Sequence, residues 1–588
     1  MCGLAGIMMH DGAPDVRLLE VMVGTMGHRG PDSTGRCDLG ETIMGHSRLA
    51  IIDLESGDQP LFDRRGTALV ANGEIYNYIE LRHSLGEARF QTRSDCEPPL
   101  LMYELNGAAF AQPLRGMFAI AIGDPHNGHV QLARDPFGIK PLYYTEFDGG
   151  VAFASEANAL MASGLVPRTL NTASRDELLQ LQFTTGRDTV FEGIRRVLPG
   201  ETITLEKGRL THHMRRAALA DTPPMDWPED EALRKLDEAL MDSVMVHQRS
   251  DVSYGMFLSG GVDSSAILAC MRELNDQPVE AFTAGFSGTK VVDERKHAEA
   301  VAKAAGANHH CVEFSEADFW KLLPEIVSFL DDPTADYAVL PTYKLGQLVK
   351  EAGLKVVLSG EGGDELFAGY GRYRKLLRPW WLGGRPMRQK GSFDGLGVLR
   401  NDEDTWRENF KNLQERENFG RRTKLQVAQA VDCADWLPHD LLIKLDRCLM
   451  AHSVEGRTPM LDPKVAALAM QLPDKLKIRG GQGKYLLRRW LETKLPEARP
   501  FERKQGFTVP VAEWIGRRGA ETGKLVAAKE AIWEIADPAK VESLFAGLER
   551  DSSGQNGQAA WRLLFYALWH KRHIEDVKLE GDVFAALS

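Results

Sequence analysis

Three places in this chain carry residues that could do chemistry. The first is Cys2, directly behind the initiator methionine. If Met1 is removed, one residue carries both a thiol and a free α-amino group. That amine, with a reference pKa of about 8, can accept the thiol proton, so nucleophile and base need no distant partner. The second place is Leu258-Ser259-Gly260-Gly261-Val262-Asp263-Ser264-Ser265, between an apolar strand pattern and a helical run, Ala266 to Leu274. Gly260 and Gly261 let backbone amides approach an anion, and the following helix adds its positive end. The loop is a phosphate cradle by mechanism but no Walker loop, because GxxxxGK[ST] occurs nowhere in the sequence. The third is Lys484, behind Gly480-Gly481-Gln482-Gly483 and ahead of a helical Tyr485-Leu486-Leu487-Arg488. A cation there suits the charge that develops as a phosphate leaving group departs.

The loop at 258–265 resembles the pyrophosphate-binding loop of synthetases that cleave ATP between its α- and β-phosphates. The resemblance implies that Asp263 is a Mg2+ ligand, an oxygen donor beside phosphates being what that ion favours. Ser359-Gly360-Glu361-Gly362-Gly363-Asp364-Glu365 follows another strand pattern, Lys355 to Leu358. In an open parallel sheet, two such loops face one crevice. Asp364 could then share magnesium with Asp263, and Glu361 could contact the acyl substrate or its attacking ammonia.

The elements that must position these residues fall into two textures. Residues 1 to about 205 read as antiparallel hairpins: Ala68 to Ala71, Met117 to Ile122, Val130 to Ala133 and Val151 to Ala154, punctuated by Asn72-Gly73, Asp124-Pro125 and Asp148-Gly149-Gly150. A polar, Pro-containing connection follows, with a linker at 211–230. Beyond it, Glu231 to Val246 reads as an amphipathic helix, and short buried strands (Tyr254 to Leu258, Val279 to Thr283, Lys355 to Leu358) alternate with helices, which predicts a parallel sheet. The C-terminal 150 residues are largely helical in pattern. At 588 residues the chain exceeds one core. The sequence therefore predicts an α/β two-domain protein, with a sandwich of antiparallel sheets at 1–210 and a parallel-sheet nucleotide-binding domain at 231–588.

Composition narrows the class. The net charge of −12 argues against a broad nucleic-acid surface. The seven cysteines are scattered, odd in number and without a CxxC pair, which fits a reducing cytoplasm and suggests neither a disulfide framework nor a zinc site. No apolar run approaches the roughly 20 residues of a membrane span, so no membrane partner is expected, and no basic-then-apolar leader is visible at the start.

Assembled, these motifs resemble the glutamine-dependent asparagine synthetases over roughly 1–210 and 230–515. The N-terminal part is similar to class II (N-terminal nucleophile) glutamine amidotransferases at Met1-Cys2-Gly3, His28-Arg29-Gly30-Pro31-Asp32, 47–53, 72–77, 94–97 and 134–144. The resemblance implies that Cys2 attacks the side-chain amide of glutamine to form a thioester and release ammonia. Asn72 and the Gly73 amide would form the oxyanion hole. Arg48 would take the α-carboxylate of glutamine, and Glu74 and Asp95 its ammonium, with backbone near Ile52 completing the pocket. In the second domain it places adenine against backbone near Leu258, Ala284 and Ser359-Gly360. The implied reaction adenylates the side-chain carboxylate of aspartate, and ammonia, passed through an internal tunnel, displaces AMP. A homodimer is the family's usual state.

Pro98 and Pro99 depart from the family by following 94–97 where an apolar helix usually begins; they read as a delayed or stiffened start. Acceptor contacts are expected between Asp331 and Arg374 and around Lys444 to Asp462, with Asp446, Glu455 and Arg457 as contributors. An amidotransferase of the same architecture acting on another carboxylate (a small peptide, a secondary-metabolite or an envelope-sugar precursor) would show the same ATP loops. Residues 376–425 match no motif, and Trp561 to His573 reads as a packing helix.

Overall fold

The computed structural model describes residues 2–588 apart from 290, 292, 389, 401–404, 503–508 and 552–553; Met1 lies outside the described residues. Two six-stranded antiparallel sheets build the N-terminal half. In spatial order the first holds Ile194–Arg196, Tyr143–Phe147, Gly150–Ala154, Gly3–Met9, Thr42–Arg48 and Ser33–Asp38. The second holds Arg209–Arg215, Glu201–Glu206, His129–Arg134, Gly116–Asp124, Ala68–Ile75 and Leu61–Phe62. Alternate residues point to opposite faces of a strand. Leu4, Met8, Met44, Val151 and Phe153 of the first sheet thus meet Ala68, Val70, Ala121 and Leu132 of the second in one buried layer. Helix Val16–Thr25 covers the outer face of the first sheet through Leu19 and Met22, and helix Pro98–Asn106 covers the second through Leu100 and Leu101. Each fully buried side chain of this kind contributes about 1.5–3 kcal/mol.

Asn72-Gly73 is no turn. Both residues lie inside Ala68–Ile75, opposite Ala119 and Phe118. The glycine serves close approach: a Cβ at Gly73 would stand 2.1 Å from the Met117 carbonyl oxygen. The helix after 94–97 begins at Pro98 itself, since the first turn requires no N–H from a proline. The connection is shorter than 211–230: Arg209–Arg215 pairs with Glu201–Glu206 as a polar edge strand, and helix Glu229–His247 has already begun at 229.

The second half is organised by a five-stranded parallel sheet in the order Asn308–Glu313, Glu280–Gly285, Tyr254–Phe257, Val356–Leu358, Glu455–Arg457. Tyr254–Phe257 and Val356–Leu358 are neighbours, so the glycine loops that follow them open side by side at the strands' carboxyl ends. Lys424–Val431, a π-helical stretch at Asp432–Leu442 and Ile443–Met450 run on continuously, and the widened middle carries Pro438. The long helix Gly554–His573 near the C-terminus is mostly buried, and the indole N–H groups of Trp561 and Trp569 donate to the carbonyls of Ala335 (2.7 Å) and Leu330 (2.9 Å).

Two candidate active sites

Cys2 precedes the first strand, whose ladder starts at Gly3 opposite Ser47. The residue is buried, its N–H donates to Asn72 Oδ1 (3.1 Å), and Sγ lies 4.0 Å from the Leu49 carbonyl oxygen. Burial pushes the thiol above its ordinary value. Asn72 is fully buried at mid-strand, and among the described residues its Nδ2 has no hydrogen-bond partner. An idle buried donor on the side chain that holds the Cys2 backbone is what an oxyanion hole requires. Arg48 ends the neighbouring strand; its guanidinium reaches Asp58 (2.8 Å) and the carbonyls of Ile52 (3.2 Å) and Asp53 (2.6 Å).

Glu74 and Asp95 are both buried and flank Ile75, whose N–H donates to Asp95 (2.8 Å). Burial raises Glu74 well above the usual carboxylate range, and the charges of Glu455 and Asp95 add to it. Asp95 is pushed up to about 6, by burial first and then by Glu455. The cation facing Glu74 comes from the other half of the chain: Arg457, 3.3 Å from Glu74 and 2.6 Å from Glu455.

The second site is a cavity of about 920 Å3. Leu258, Ser259, Gly261, Asp263, Ser264, Ala284, Ser359, Gly360, Glu361, Asp364 and Lys484 all line it. Gly260 stands back from the lining, with its bare Cα toward His297, 2.7 Å from where a Cβ would sit. Ser264 Oγ accepts from the Ser259 N–H (3.2 Å), which tightens the loop as helix Val262–Leu274 begins. Lys484 holds a left-handed backbone (φ 57°) ahead of helix Tyr485–Lys494, and its N–H donates to the Phe367 carbonyl. That placement drives a buried ammonium between Asp263 and Asp364, 2.7 Å from the latter. Burial alone would lower the Lys484 pKa, but the two carboxylates overturn this and raise it. Glu361 is raised by burial, opposed by Lys444, and raised further by Asp336, Asp364 and Asp263.

The acceptor region differs from expectation. Asp446, Glu455 and Arg457 do not line the cavity; they face the N-terminal half, because the strand and helix carrying them pack on it and their charges find partners there. Asp336, Arg374 and Lys444 do line it, and Lys444 Nζ donates to Asp336 (2.9 Å). Sequence reasoning missed Trp436, carried by the π-helical stretch, and Gln182, contributed by the first half. Gln182 caps helix Thr172–Leu181 in a left-handed conformation and donates to Asp440 (2.7 Å). A glutamine in a helix-ending pattern gives no signal of such a role.

A buried cysteine against an antiparallel sandwich, joined to a parallel sheet with a glycine-rich anion cradle, defines the class of two-domain amidotransferase ligases. Residues 1–215 match the family model described as a glutamine amidotransferase domain, and residues 235–571 match the one described as asparagine synthase. The chain is 32% identical to asparagine synthetase (glutamine-hydrolyzing) 1 of Bacillus subtilis (strain 168), over 98% of this chain and 97% of that protein. It is 34% identical to a putative asparagine synthetase (glutamine-hydrolyzing) of Mycobacterium tuberculosis (strain ATCC 25618 / H37Rv), over 98% of each. It is 30% identical to asparagine synthetase B (glutamine-hydrolyzing) of Escherichia coli (strain K12), over 90% of this chain and 85% of that one. The chain belongs to the asparagine synthase family.

Proposed function

We propose that this protein is a glutamine-dependent asparagine synthetase. Cys2 takes the amide carbon of glutamine, with Asn72 Nδ2 and the Gly73 amide receiving the developing oxyanion. Arg48 receives the α-carboxylate, near Ile52, while Glu74 and Asp95 hold the ammonium. The released ammonia then meets aspartate activated on the ATP cavity. There the loop Leu258–Ser264, with Ala284 and Ser359-Gly360, seats the nucleotide. Lys484 steadies the α-phosphate as pyrophosphate departs, and Glu361 attends the acyl carbon or its attacking ammonia.

The observation that carries this reading is the Lys484 ammonium held between Asp263 and Asp364 at the mouths of two glycine loops. The same two carboxylates fit Mg2+. They are oxygen donors on one cavity wall, and glycines make room for them: a Cβ at Gly363 would stand 2.4 Å from Asp263 Oδ1, and one at Gly369 1.8 Å from Asp364 Oδ1. Among the described residues no group of three or more His, Cys, Asp or Glu could hold a metal alone, so phosphate and water oxygens would complete the shell. When bound, the ion would neutralise the phosphates. Among the described residues no helix is long and apolar enough to cross a membrane; we place the enzyme in the cytoplasm, as a homodimer.

The test supplies ATP, Mg2+ and glutamine with aspartate or with other carboxylic acids. Asparagine, glutamate, AMP and pyrophosphate are expected, with pyrophosphate release dependent on aspartate. Pyrophosphate release that another acid triggers and aspartate does not would overturn aspartate as acceptor.

A further inference from the structure

Cys2 lies outside the sheet ladder, which begins one residue later. Its backbone is held at two points: its N–H on Asn72, and its carbonyl, which accepts from Arg29 Nε at 3.1 Å. Removal of Met1 turns the first of these into a free α-amino group. The carbonyl tether belongs to the Cys2–Gly3 peptide and survives that change.

Arg29 is itself fully buried, with no side-chain exposure. It sits in the turn 28–32, where Gly30 packs on the neighbouring strand so closely that a Cβ would stand 2.3 Å from the Ser47 carbonyl. Its guanidinium is aimed by a two-pronged contact to Asp446, Nη1 to Oδ2 at 2.8 Å and Nη2 to Oδ1 at 3.0 Å, with Glu156 at 3.0 Å beside it. Paired N–H···O contacts of this kind fix orientation as well as charge. Asp446 belongs to the synthetase half, on helix Ile443–Met450, two residues beyond Lys444 in the ATP cavity.

We propose that Asp446 is a positioning residue for the hydrolysis of glutamine: it aims Arg29, and Arg29 holds the Cys2 carbonyl so that the thiol meets the amide. The inference rests on the reading of Cys2 as nucleophile. Glutamine hydrolysis is thereby built across the domain boundary, and a residue of the ATP-using half sets the competence of the other site.

The experiment uses the full chain. Asp446→Asn removes the charge and one of the two acceptor oxygens that hold Arg29, while conserving size. Glutamate release should fall at least tenfold in kcat, with KM for glutamine within twofold, and asparagine formation from ammonium chloride should stay within twofold of the parent. Arg29→Lys keeps the positive charge but not the fork, and should give the same kcat loss; it carries the test if Asp446→Asn does not fold. Asp331→Asn disturbs the same ionic cluster through Arg447 (2.8 Å) without touching Arg29, and should leave glutamine hydrolysis unchanged. An Asp446→Asn enzyme with parental glutaminase kcat would overturn the proposal, as would an equal loss in Asp331→Asn. A Cys2→Ala enzyme that still hydrolyses glutamine would instead overturn the reading beneath it.

Discussion

The Lys484 ammonium stands 2.7 Å from the Asp364 carboxylate, inside a pocket that Gly369 keeps open. Neither group would tolerate that burial alone. One cation between two anions leaves a net negative charge, which suits the divalent ion proposed to accompany the phosphates here.

That arrangement predicts the effect of one methyl group. Gly369→Ala places a Cβ 1.8 Å from Asp364 Oδ1 and 2.3 Å from Lys484 Cε. Either the carboxylate or the lysine must leave its position. Asparagine formation from ammonia should fall by at least a hundredfold while glutamate release persists, as read by parallel assays of the two products. Equal loss of both activities would show that the damage is to folding.

Cys2→Ala should abolish glutamine use and leave ammonia-dependent synthesis within about twofold of the parent. Measuring asparagine with glutamine and then with ammonium chloride as sole nitrogen donor decides it. Loss of synthesis with ammonium would mean that the two sites do not divide the labour as described.

Asp95 predicts a pH dependence whose sign follows from its environment. Its folded pKa is raised to about 6, above the unfolded value, so the fold favours the protonated form. Its contribution to stability is present below about 4 and is lost as pH rises through 6, a change of about 3 kcal/mol for this displacement. Asp95→Asn should therefore gain stability over the parent at pH 8 and show little difference at pH 4, in urea unfolding at each pH. Function runs the other way. The carboxylate proposed to receive the glutamine ammonium is discharged below 6, so KM for glutamine should climb there more steeply in the parent than in the variant.

Arg457 is fully buried against Glu455 and Glu74 and donates to the carbonyls of His247 (2.8 Å) and Arg249 (2.7 Å). Arg457→Met removes the cation that both Glu74 and Glu455 face, and breaking a buried ion pair costs about 3–5 kcal/mol. The urea midpoint should drop, and KM for glutamine should rise as Glu74 loses its facing charge. An unchanged midpoint would mean that the cluster takes up protons instead.

Much of the local chemistry was legible in the sequence because it is carried by contiguous residues. Leu258 to Ser264 and Ser359 to Asp364 each bring their strand, turn and cap within a few positions, so short-range reasoning found them together on one cavity. Asn72-Gly73 misled for an equally physical reason. An Asn-Gly pair is the strongest short hairpin signal, yet here the glycine serves the approach of Met117 from the next strand, a partner 44 positions away. The edge strand Asn308–Glu313 and the three-residue strand Glu455–Arg457 were missed because the one is half-exposed and polar and the other consists of charged residues and a glycine, so neither shows an apolar run. The roles of Asp446 and Arg457 were misplaced toward the acceptor because nothing local to a buried charge says from which half its counter-charge will come.

Gln182 draws one last consequence. It ends a helix of the first half, donates to Asp440, and lines the wall of the ATP cavity. The two halves are therefore not interchangeable modules. A second half expressed alone from about residue 229 onward would lack that part of the wall, and a first half borrowed from a relative would bring its own side chain there. Changing the first half of this protein therefore also changes the lining of a cavity that belongs mostly to the second.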